Sequence, residues 1–170
     1  MKSNEKIWGF VTSLLLVFSF VLLFLNIFQY ETALTTTGKG LFADYTGAET
    51  AFKIAGAGFS TFWMVANNVC SVIFSALAGV YIIIYILKVC GINLGKNFFK
   101  FEKVLSTLLA LVAILTLVFG LGAVIFNRHE SMGINGDIGF YFQCIGMLAS
   151  FVSFLAIGNG KSTKKKGKRK

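Results

Sequence analysis

The stretch VLSTLLALVAILTLVFGLGAVIF, residues 104–126, decides the reading of this chain. It contains no Asp, Glu, Lys, Arg or Pro and is bracketed by Lys103 and Arg128. As a helix rising 1.5 Å per residue it covers about 35 Å, enough to cross the roughly 30 Å hydrocarbon core of a bilayer. Three more charge-free intervals accompany it: 24 residues between Lys6 and Glu31, 34 between Lys53 and Lys88, and 23 between Asp137 and Lys161. Each holds one span. The 34-residue interval is too short for two, and its Gly-rich start, residues 54–62, is placed outside the hydrocarbon.

The expected fold is therefore an all-α membrane protein of one domain, residues 1–170. Its four helices at about residues 7–28, 63–87, 104–126 and 138–157 form an antiparallel bundle. Lone strands in lipid would leave backbone groups unsatisfied, and the near-continuous apolar sequence lacks the alternation of a β-barrel. Composition agrees: of 170 residues 56% are hydrophobic, 14% are charged and none is proline, with a mean hydropathy of +0.76. An ordinary soluble domain carries about 25% charged residues. The first apolar run exceeds the roughly 7–15 residues of a secretory-signal core and is followed by no small-x-small site, so it is expected to stay as an anchor.

Orientation follows from the basic residues. With four spans, both termini and the middle loop 88–103 share one side, which holds thirteen of the 16 Lys and Arg residues. The other side holds Lys39, Lys53 and Arg128, together with five of the seven acidic residues. Positive charge stays cytoplasmic during insertion, so both ends are expected in the cytosol, in a plasma-membrane protein. Trp8, Tyr30, Trp63, Tyr85 and Tyr141 stand near the expected interfaces, as aromatic belts do.

Small and polar residues recur at helical spacing. Asn67, Ser71, Ser75 and Gly79 line one face of the second span, and Gly139, Gln143, Gly146 and Ser150 one face of the fourth, continued by Ser153. Thr12, Ser19 and Asn26 lie seven apart in the first, and Ser106, Ala110, Ala113 and Gly120 mark the third. Lipid does not drive helices together, so such seams let backbones approach and hydrogen-bond. They suit a left-handed bundle and association with other membrane helices, of this chain or another. Asn26, Asn67, Asn68 and Gln143 also admit a second reading, a polar path through an oligomer. No Asp, Glu, His, Lys or Arg stands within a span, which argues against proton relays and ion-coupled transport.

Candidate chemistry is thin. His129-Glu130 begins a zinc-protease pattern that Gly133 breaks, and no fixed spacing joins Asp44, Glu49 or Asp137 to it. Cys70, Cys90 and Cys144 form no C-x-x-C pair; Cys70 and Cys144 fall at similar depth and meet only if the second and fourth helices touch, while Cys90 is placed for S-acylation. The glycines at 38–40 and 56–58 fit no phosphate-binding frame. No catalytic residue, metal or cofactor is expected. In the outer loop 31–62, residues 41–45 read as extended and 49–55 as a short surface helix. Phe42, Tyr45, Phe52 and Phe59 are its candidates for outside contacts, or else dip into the interface.

The tail 160–170 carries Lys161, Lys164, Lys165, Lys166, Lys168, Arg169 and Lys170. Beside a span such a run attracts anionic inner-leaflet lipid, at about 1 kcal/mol per residue, and is preferred here to nucleic acid as its partner. Phe98, Phe99 and Phe101 among Lys96, Lys100 and Lys103 suit the same interface. In plan (cytoplasmic ends, a larger first outer loop, a small second one) the layout resembles claudin-like tetraspan proteins. The W-x-x-G-L-W loop signature and its cysteine pair are absent, so no residue role is carried over. The functional expectation is a non-enzymatic accessory subunit or organiser acting through helix–helix association. The alternative is a small oligomeric channel or facilitator for a small solute.

Overall fold

A computed structural model of the chain describes residues 3–21, 25–31, 36–40, 45–92, 95–129 and 132–159. The elements in chain order are α1 (Ser3–Val21), β1 (Asn26–Glu31), β2 (Thr36–Gly40), α2 (Thr46–Ile54), α3 (Thr61–Val89), α4 (Gly95–Phe126), β3 (Arg128–His129), β4 (Met132–Gly136) and α5 (Ile138–Asn159). The chain is mostly helical, and two helical stretches, Thr61–Val89 and Lys100–Phe126, are long and apolar enough to cross a membrane. Shorter apolar stretches occupy Ile7–Val17 and Gly139–Val152.

The four long helices pack in a ring, each against two neighbours: α1 on α3, α3 on α4, α4 on α5 and α5 on α1. Helix α3 closes on a glycine where a side chain would strain. Gly91 (φ +79°) lets its own N–H donate to the Lys88 carbonyl (3.2 Å) and the Ile92 N–H to that of Leu87 (3.2 Å), so the last carbonyls of α3 are satisfied.

One end of the ring carries a sheet in the order β2-β1-β4-β3, all pairs antiparallel. This corrects the first expected span, 7–28: α1 ends at Val21, and Asn26 and Phe28 belong to β1. The run 7–28 is uniformly apolar, so hydropathy marks no break. The β-favouring Phe28 and Tyr30 gain strand partners on both sides, from β2 and from β4 far along the chain. A register shift between Asn26 and Phe28 lets the consecutive Ile27 and Phe28 both be buried, which a regular strand would not allow. The Asp137 N–H donates to the Ile27 carbonyl (2.9 Å), joining the exit of α1 to the entry of α5.

A second correction concerns the inner loop 88–103. Helix α4 starts at Gly95, so Lys96, Lys100 and Lys103 ride on helix rather than loop. A helix, α2, stands where helical turns were expected at 49–55, and it buries Ala48 and Phe52. Of the expected extended piece 41–45, residues 41–44 with Phe42 lie outside the described residues, as does the basic tail 160–170.

Two apolar clusters fill the ring. Near the α3–α4 turn lie Leu16, Phe74, Tyr81, Leu105 and Leu109 with their neighbours; beneath the sheet lie Ile27, Phe28, Tyr45, Met64, Ala123 and Ile134. Outside, α4 presents a continuous apolar ridge, Leu111, Ile114, Val118, Leu121 and Ile125, each 45% exposed or more. Helix α3 turns Val65, Val69, Ile83 and Ile86 outward in the same way.

Candidate functional site

Between the two clusters lies a polar layer. On α3, Asn67 and Ser71 stand between Met64 and Phe74; on α4, Thr116 stands between Ala113 and Ala123; on α5, Gln143 stands between Phe140 and Met147. Their polar atoms meet. Asn67 Nδ2 donates to the Thr116 carbonyl (2.8 Å) and Gln143 Nε2 to Ser71 Oγ (2.6 Å) and Asn67 Oδ1 (3.2 Å). The Ser71 hydroxyl in turn donates to the Asn67 carbonyl (2.7 Å), and that of Thr116 to Val112 (2.8 Å). Asn67 is 0% and Gln143 2% exposed, so these groups exchange bonds with one another and not with solvent.

This layer is where the two sequence seams go. Asn67, Ser71, Ser75, Gly139, Gln143, Gly146 and Ser150 are all buried, and Gly79 is half-buried. Ser75 and Ser150 sit beyond the layer on the turn side, the Ser150 hydroxyl donating to the Met147 carbonyl (2.7 Å). The seams thus join helices of one chain. Close approach is enabled by two glycines of α4: a Cβ on Gly120 would lie 2.6 Å from the Phe140 ring and 2.9 Å from Asn67 Nδ2, and one on Gly122 would overlap the Trp63 ring.

Sequence reasoning missed Asn127, which ends α4 fully buried. Its Oδ1 accepts from the Ser60 N–H (2.6 Å), and its Nδ2 donates to the carbonyls of Ser60 (3.2 Å) and Ala123 (3.0 Å). It thereby clasps the start of α3 to the end of α4. The only signal was an amide directly after a span, a position where loop and clasp look alike.

Under the sheet, Asn68 Nδ2 donates to the Tyr45 hydroxyl (3.3 Å), while Asn68 Oδ1 has no hydrogen-bond partner among the described residues. Phe52 and Phe59 pack together at 4.9 Å in this layer rather than facing outward as contacts. Burial pushes the Tyr45 hydroxyl above its usual value of 10.0, with the Asn68 bond opposing more weakly. The folded chain therefore keeps this proton at pH values where the unfolded chain loses it. Its stabilising effect is fully present below about pH 10 and declines as pH rises past that point towards the raised value. Thermal unfolding followed by Trp63 fluorescence should show that decline, and Tyr45→Phe should make it shallower.

At the other end, Lys88 at the close of α3 forms an ion pair with Glu102 of α4. Cys70, Cys90 and Cys144 are free thiols; Cys90 is exposed, and the other two are half-buried. Cys70 lines an outward apolar groove of about 470 Å³ with Phe62, Ala66 and Phe119. Glu49 is exposed, and Asp44 and Glu130 lie outside the described residues. No group of three His, Cys, Asp or Glu placed to hold a metal occurs among the described residues. No protein-family model, curated protein or solved structure matches this chain.

Proposed function

We propose that this chain is an integral membrane protein that crosses the plasma membrane four times with both termini in the cytosol. It acts without catalysis, as an accessory subunit or organiser that associates with other membrane helices. The observation that carries this is the exposure of its apolar helices. The most apolar windows of α3 and α4 have mean hydropathies of 2.4 and 2.8, yet only 33% and 44% of each is buried. The core helix of a soluble protein would hide such a face, whereas lipid and neighbouring helices are solvents that suit it. The asymmetry of Lys and Arg supplies the orientation.

Association then uses the outward face of α3, along Val65, Val69, Ile83 and Ile86, because the small-residue seams are consumed inside the chain. The pore reading rested on Asn26, Asn67, Asn68 and Gln143; Asn26 belongs to β1, and the side-chain N–H groups of Asn67, Asn68 and Gln143 donate to partners within one chain, which supports the first reading over it. The test is isolation at native expression in mild detergent, followed by cross-linking. Recovery with a second copy or a defined membrane partner is expected. A partnerless monomer, or a chain washed off vesicles by carbonate, contradicts the proposal. Solute flux in liposomes that Asn67→Leu abolishes would restore the pore.

A further inference from the structure

The first turns of α4 carry a charge pattern that the functional reading does not use. Lys100 and Lys103 are exposed, and Lys96 stands one turn earlier at the same helical position, spaced four and then three residues apart. Continued in steps of three and four, that stripe passes through exposed Thr107 and becomes the apolar ridge from Leu111 to Ile125. From 107 to 125 the ridge rises about 27 Å, close to the roughly 30 Å of a hydrocarbon core. The lysines therefore crown a lipid-length apolar face at the depth of headgroups. Exposed Phe101 and Val104 flank them, as interfacial segments do. The acidic residue of this segment, Glu102, points away from the stripe: its side chain is 13% exposed and is paired with Lys88. That pairing keeps a carboxylate from cancelling the stripe.

We propose that Lys100 and Lys103 form a binding site for the phosphate headgroup of an anionic phospholipid whose chains lie along the α4 ridge. The proposal rests on the membrane reading above and adds to it a lipid and a place, separate from the basic tail. A soluble anion would gain from the lysines alone; the ridge continuous with them favours the lipid.

The test reconstitutes the full chain in bilayers of phosphatidylcholine with a minor fraction of phosphatidylglycerol. The readout is the ratio of the two lipids retained by the protein in native mass spectrometry. The wild type should retain phosphatidylglycerol in excess, and Lys100→Gln with Lys103→Gln should cut that excess by about tenfold, an effect that fades in high salt. Glu102→Gln, by releasing Lys88, should raise it. Inorganic phosphate should not compete. If the double variant retains the excess while Gln at Lys164, Lys165, Lys166, Lys168, Arg169 and Lys170 abolishes it, the site belongs to the tail and the proposal is overturned. Competition by inorganic phosphate would overturn it in favour of a soluble anion. Because both lysines of the double variant are exposed, its fold should survive, and circular dichroism checks this. Carbonate extraction separates the two failures: a chain that stays in the membrane without lipid preference refutes only this inference.

Discussion

Gly120→Leu should destabilise the folded chain by about 3 kcal/mol or more, read from unfolding in mixed detergent micelles. The added atoms have nowhere to go. A Cβ alone would lie 2.6 Å from the Phe140 ring, so that ring would have to shift within a packed layer. A Cβ on Gly136 would meet its other side at the same 2.6 Å, and Phe28 packs against it at 6.1 Å between centroids. The second neighbour, Asn67 Nδ2, is held by its bond to the Thr116 carbonyl. The substitution therefore combines overpacking with broken buried hydrogen bonds. Gly120→Ala should also destabilise, though less, because alanine recovers up to about 1 kcal/mol of helix propensity. Leu121→Val, one residue on and facing outward, should fall within about 0.5 kcal/mol of wild type. Wild-type stability in Gly120→Ala would show that the α4–α5 contact is looser than the structure has it.

How much of this was legible in the sequence depends on the element. Helices α3 and α5 were legible because charge stops where apolar length starts: residues 63–87 were expected against Thr61–Val89, and 138–157 against Ile138–Asn159. The sheet was not. Its central strand β1 lies largely inside an apolar run that reads as helix, and its partner β4, with the sequence MGING, is too short and glycine-rich for the alternation of Met132 and Ile134 to stand out. Pairing between residues about a hundred apart leaves no local signature. The start of α4 was hidden for the opposite reason: its lysines look like loop until Glu102 is seen paired with Lys88. For the polar layer, spacing identified Asn67, Ser71 and Gln143 as faces. Periodicity says which residues share a face, and nothing about whether the facing helix belongs to the same chain.

The polar layer makes its own prediction. Asn67→Leu and Gln143→Leu should each lower stability by about 1–2 kcal/mol, and the double variant should lose about 1 kcal/mol less than their sum. Leucine fills the space of either amide, so the loss reports hydrogen bonding and the fit of the added methyl groups rather than a cavity. Removing Gln143 strands Asn67 Oδ1 and withdraws the donor from Ser71; removing Asn67 takes a partner from Gln143 and the side-chain donor from the Thr116 carbonyl. Each single change thus leaves a buried amide incompletely bonded, which costs more than the bond itself stabilises. The double change removes both amides, leaves fewer unsatisfied groups and makes the layer more apolar. The magnitudes stay modest because helices separated within a membrane find other polar partners. Strict additivity would mean that the two amides act independently. If the polar layer aligns the three helices, the double variant should also fold with weaker selection among helix registers, seen as broadened Trp63 fluorescence. Asn67 then acts as a positioning residue, joining α3 to both α4 and α5 at one depth.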